Sequence, residues 1–79
     1  MINVIAINGK GKEYKCDNYF YKTDFKLIFE GEYFHNCKIK GKEYFNNGKL
    51  KFEGEYLFDK QLSGNGYDIN GKLLYKLYR

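Results

Sequence analysis

An eight-residue stretch recurs along this chain at a fixed interval. Lys49 to Tyr56 reads Lys-Leu-Lys-Phe-Glu-Gly-Glu-Tyr, Lys26 to Tyr33 reads Lys-Leu-Ile-Phe-Glu-Gly-Glu-Tyr, and a decayed third copy, Lys-Leu-Leu-Tyr-Lys-Leu-Tyr-Arg, runs from Lys72 to Arg79. The offsets 49 − 26 and 72 − 49 are both 23 residues. A constant period in this range marks stacked repeats, in which a small unit that cannot bury its apolar face alone buries it against its neighbours.

Inside the repeated stretch, Leu50, Phe52, Gly54 and Tyr56 share one parity and Lys49, Lys51, Glu53 and Glu55 share the other. Strand side chains alternate faces, so this is a strand with one dry and one wet side. Leu27, Phe29, Gly31 and Tyr33 repeat the dry set. The glycine in that set is expected to leave room for an aromatic ring of the adjacent unit. A shorter strand opens at Gly11-Lys-Glu-Tyr14, at Gly41-Lys-Glu-Tyr44 and, loosely, at Gly64-Asn-Gly-Tyr67. Asn46-Asn47-Gly48 and Asn70-Gly71 turn it into the long strand, and Asn8-Gly9 ends a first strand over 1–7, because Asn-Gly takes positive φ readily. Each unit is thus a β-hairpin, with Phe34 to Lys40 and Leu57 to Ser63 expected as connections between hairpins. Apolar positions fall at i and i+2, which predicts essentially no helix. The expected fold is all-β: a single-layer antiparallel meander of stacked hairpins with six or seven strands. It forms one domain over 1–79, with a half-unit at 1–10, a repeat at 11–40 carrying an insertion near 16–24, a repeat at 41–63 and a partial repeat at 64–79.

A chain of 79 residues buries only about 60% of the surface its unfolded form exposes, which makes a partner or a second copy a natural reinforcement. The net charge of +4 comes from thirteen Lys and one Arg against ten acids, with the signs interleaved. Nucleic-acid binding asks instead for a clustered stripe, preferably with Arg. No stretch approaches the roughly 20 apolar residues of a membrane span, and the first seven residues lack the features of a signal peptide. The expected location is cytoplasmic. Cys16 and Cys37 are too few and too irregular for a disulfide framework, although a single bridge between them is open on sequence alone.

The unit from Gly41 to Tyr56, with its Phe-Glu-Gly-Glu-Tyr cores at 29–33 and 52–56, resembles the MORN (membrane occupation and recognition nexus) repeat over roughly residues 9 to 79. The resemblance implies a twisted sheet of stacked hairpins with a groove lined by aromatic rings. It also implies a scaffold, interaction or dimerisation role, with lipid-head-group binding proposed for some members. No catalytic residue belongs to the motif, so only Phe29, Gly31, Tyr33, Phe52, Gly54 and Tyr56 carry over by position. The chain departs from the pattern where Ile39-Lys-Gly-Lys42 and Leu62-Ser-Gly-Asn65 replace the family's His-Gly-x-Gly. It departs again in the third core, which lacks glycine, and in the first unit, which is seven residues longer.

Tyr19, Phe20 and Tyr21 stand at the expected tip of that lengthened hairpin. Insertions in repeat arrays collect on a binding face, and exposed aromatics anchor protein interfaces. The alternative is that they cap the stack. Tyr14, Tyr33, Tyr44, Tyr56, Tyr67 and Tyr75 recur at repeat spacing; such rings more often build a core than a ligand platform, yet Tyr33 and Tyr56 are candidates for outward rings of a concave binding face. Lys38, Lys40 and Lys42 are candidates for a basic rim attractive to acidic lipid or nucleic acid. His35 and Cys37 do not have the spacing of a zinc pair, and Glu30, Glu32, Glu53 and Glu55 suit cross-strand ion pairs better than acid–base chemistry. No cofactor, metal or enzymatic activity is expected.

The function these features favour is non-enzymatic protein binding by an adaptor or scaffold, with another protein as partner and homodimerisation expected through uncovered sheet edges. One alternative is a small inhibitor from a mobile element that blocks a larger enzyme, and another is basic-rim binding to acidic lipid or nucleic acid.

Overall fold

The structure, a computed structural model, describes residues 2–4, 9–16 and 25–79, with the backbone alone at 2–4. The strands are β1 (Ile2–Val4), β2 (Gly9–Cys16), β3 (Phe25–Phe34), β4 (Cys37–Tyr44), β5 (Leu50–Leu57), β6 (Lys60–Tyr67) and β7 (Leu73–Leu77). They form one antiparallel sheet in the order β1-β2-β3-β4-β5-β6-β7, a pure meander, and no helix occurs among the described residues. The all-β, single-sheet expectation holds. The strand of 2–4 pairs within the chain, with Ile2 opposite Lys15 and Val4 opposite Glu13.

The turns into β5 and β7 follow the Asn-Gly signals. Gly48 N–H donates to the Phe45 carbonyl and Phe45 N–H to the Lys49 carbonyl, and Gly71 and Asp68 repeat the same two bonds with Asp68 and Lys72. The expected connections at 34–40 and 57–63 are shorter than anticipated. β3 meets β4 through His35-Asn36 and β5 meets β6 through Phe58-Asp59, all four at positive φ. Both central residues of such a two-residue turn need positive φ, which Asn and Asp tolerate better than most non-glycine residues. Asp59 then reaches sideways, its Oδ1 accepting the Lys38 N–H at 2.8 Å. Successive turns are thereby tied together.

The register lines up like residues across the sheet. Gly11, Gly31, Gly41, Gly54 and Gly64 form one transverse row that ends at Leu77. A Cβ on Gly31 would lie 2.6 Å from Gly41 Cα, and one on Gly54 would lie 2.7 Å from Gly64 Cα. What lies against Gly31 and Gly54 is therefore the backbone of the paired strand, not the ring anticipated there; rings fall instead on Gly41 (Phe29) and Gly66 (Tyr75). Backbones this close on one side curl the sheet toward that side. A register shift beside a tyrosine in each pairing from β2/β3 to β6/β7 adds local twist.

Inside the curl sits the core. Phe29 (1% exposed), Tyr33 (3%), Phe52 (0%) and Tyr56 (4%) form one cluster, with Leu77 packed against it. Phe29 meets Tyr33 and Phe52 meets Tyr56 edge to face at 5.6 Å between centroids, and Phe29 meets Tyr56 at 5.4 Å, closing the two repeats on one another. In a flat strand, residues four apart lie about 13 Å apart. The rings lean toward each other over a glycine that has no side chain to separate them. A single sheet thus makes a core of its own.

Candidate functional site

The core face carries a polar strand of contacts over its rings. Glu13, buried, accepts the Tyr33 hydroxyl and pairs with Lys38 Nζ at 3.4 Å. Lys38 crosses the Phe29 ring at 4.6 Å and lies 6.0 Å from the Tyr56 ring, where a cation is drawn to the negative π face. One repeat on, Gln61 stands where Lys38 stood. Its Nε2 donates to Glu43 at 2.6 Å and its Oε1 accepts the Tyr75 hydroxyl at 2.7 Å. Tyr75 also stacks on Phe52 at 6.3 Å. The Tyr56 hydroxyl is buried with no hydrogen-bond partner among the described residues. Burial first, then the nearby acids, Glu13 for Tyr33 and Glu43 for Tyr56, hold both phenols well above the usual tyrosine range.

These positions correct two expectations. Tyr33 and Tyr56, candidates for outward binding rings, are core residues whose surface the sheet itself consumes. The recurring tyrosines divide between the faces: Tyr33, Tyr56 and Tyr75 belong to the core side, whereas Tyr14 lines the charged side and Tyr44 donates to Glu30 at 2.6 Å there. Burial, and then that bond and the Glu30 charge, push Tyr44 up to about 12.

The charged face is a pair of alternating ladders flanking the glycine row. One runs Lys10, Glu32, Lys40, Glu55, Ser63; the other runs Lys12, Glu30, Lys42, Glu53, Asn65, Lys76. Lys42 and Glu53 pair at 3.6 Å, as the cross-strand reading of the glutamates anticipates, and Arg79 reaches Glu55 at 3.7 Å. An open groove of about 710 Å³ lies over the glycine-row backbone between the ladders, lined in part by Lys10, Lys12, Glu30, Glu32, Lys40 and Lys42. The basic rim is not assembled. Lys38 is turned to the core side against Glu13, while Lys40 and Lys42 each sit between acids.

Cys16 pairs with Phe25 at one end of β3 and Cys37 with Phe34 at the other, a separation of nine residues or about 30 Å, far beyond disulfide reach. His35 and Cys37 share a turn remote from Cys16, and the described residues hold no group of three or more His, Cys, Asp or Glu able to hold a metal. No helix among the described residues is long and apolar enough to cross a membrane. Tyr19, Phe20 and Tyr21 lie outside the described residues.

Exposed apolar side chains among the described residues gather outside the sites expected from the sequence. Phe34, Leu57 and Phe58 stand exposed at the two-residue turns, and Leu73, Leu74, Tyr75 and Tyr78 occupy the edge strand and its end. The signal was present. Phe34 and Leu57 follow Glu32 and Glu55 on the wet parity, where an apolar residue serves no core. No protein-family model, curated protein or solved structure matches this chain.

Proposed function

We propose that this chain is a non-enzymatic protein-binding module, an adaptor or scaffold built as a degenerate MORN-type repeat sheet. The observation that carries the reading is the apolar rim at the hairpin turns, where Phe34 is 58% exposed, Leu57 52% and Phe58 79%. Phe34 and Leu57 are 23 residues apart, so the rim follows the repeat and not chance. Residues of this size on tight turns lose little freedom on docking, which is what interface anchors require. The alternating ladders speak against nucleic acid as partner, because Lys10, Lys12, Lys40 and Lys42 are each set beside a Glu that would repel phosphate.

The test is capture from lysate of the source cell with the immobilised chain and with a Phe34→Ser, Phe58→Ser double variant, both checked for fold by circular dichroism. A Phe20→Ser, Tyr21→Ser variant runs beside them for the inserted hairpin. A protein retained by the wild type and lost with the rim variant is the expected result; equal capture by wild type and rim variant rejects the rim. An adaptor bridges two captured proteins, whereas an inhibitor holds one enzyme and blocks it.

A further inference from the structure

The last strand breaks the charge order of the sheet. In each internal repeat the long strand offers an acid to the strand that follows it: Glu30 faces Lys42 and Glu53 faces Asn65. The residue 23 positions after Glu53 is Lys76, which faces inward neighbour Asn65 and forms no ion pair among the described residues. Continuing the ladder past β7 therefore calls for an acid. The outer edge of β7 has no neighbour among the described strands, and exposed apolar groups flank Lys76: Leu73 at 45%, Leu74 at 62% and Tyr78 at 81%.

We infer that the β7 edge takes an extended segment of a partner protein by strand addition, and that the segment carries Asp or Glu opposite Lys76 with apolar residues within two positions on each side. Backbone hydrogen bonds to the open edge supply the affinity, and the Lys76 pairing with its apolar flanks sets the register. The inference rests on the protein-binding reading above. A second copy of this chain is a poor occupant. Residues 72–79 hold Lys72, Lys76 and Arg79 and no acid, so a second β7 edge offers nothing to pair with Lys76. The opposite edge, Ile2–Val4, has no acid to offer either.

The probe is the heptapeptide Thr-Val-Thr-Glu-Thr-Val-Thr, whose Glu and two Val share a face, against its Lys-centred counterpart, each titrated to millimolar concentration into the isotope-labelled full chain. Expected are amide shifts concentrated on Leu73 to Leu77, about tenfold tighter binding of the Glu peptide, and reversal of that preference by Lys76→Glu. Equal affinity for the two peptides, or no shift on β7, overturns the inference. Shifts confined to the rim at Phe34 and Phe58 overturn it while upholding protein binding, and the capture experiment decides that wider reading independently.

Discussion

Lys38 and Glu13 close a 3.4 Å ion pair although β3 runs between their strands. The lysine ammonium lies over the Phe29 ring at 4.6 Å as it makes the span, so one charge meets both the π face and the buried acid. Replacing Lys38 with Met leaves buried Glu13 without its cation partner, and is expected to lower stability by about 2–3 kcal/mol. Lys38→Gln should lose only about 1 kcal/mol, because an amide can still donate to the acid as Gln61 does to Glu43. Urea unfolding of the two variants checks the order.

Tyr33 and Tyr56 hold equivalent places but unequal bonds. Tyr33→Phe removes a donor from buried Glu13 and should cost about 1–3 kcal/mol. Tyr56→Phe deletes a buried hydroxyl that lies near Glu43 without a hydrogen bond of ordinary geometry, and should cost less, at most about 1 kcal/mol. A thermal melt in which Tyr56→Phe is the worse of the two contradicts this account of the core.

The paired glycines are the least replaceable residues of the sheet. Gly54→Ala puts a methyl 2.7 Å from Gly64 Cα, with backbone on the receiving side, and should lower stability by about 3 kcal/mol or more. Gly48→Ala meets nothing within 4 Å and only strains a φ of 85°, which costs about 1–2 kcal/mol. Denaturant midpoints should separate the two clearly.

High pH should loosen the fold through its phenols. Tyr44 is raised from 10.0 to about 12, and Tyr33 is raised in the same direction, so the folded state favours the protonated forms. That stabilisation is complete below pH 10 and disappears as pH rises through about 12. Unfolding midpoints should fall steadily above about pH 10, and Tyr44→Phe should flatten the slope. Phenolate absorbance followed on the folded chain gives the same titration directly.

Much of the architecture was legible because repetition and parity act together. Leu50, Phe52, Gly54 and Tyr56 against Lys51, Glu53 and Glu55 state which side is buried, and the copy 23 residues away states what it packs against. The turns at His35-Asn36 and Phe58-Asp59 were not legible, because His and Phe rarely take positive φ and tertiary pairing imposes it here. Parity also could not announce that Lys38 leaves its lysine neighbours for the core, since the register shift beside Tyr33 sets that. Nor could it show that glycines paired across strands bring backbone, and not a ring, into contact.

Strand order in the sheet repeats strand order in the chain. Contacts across the described sheet therefore join segments one or two strands apart in sequence, and little loop entropy must be surrendered before pairing begins to stabilise the chain. Folding can start at either central hairpin and spread outward, faster than is usual for an all-β protein whose sheets must wait for distant strands to meet.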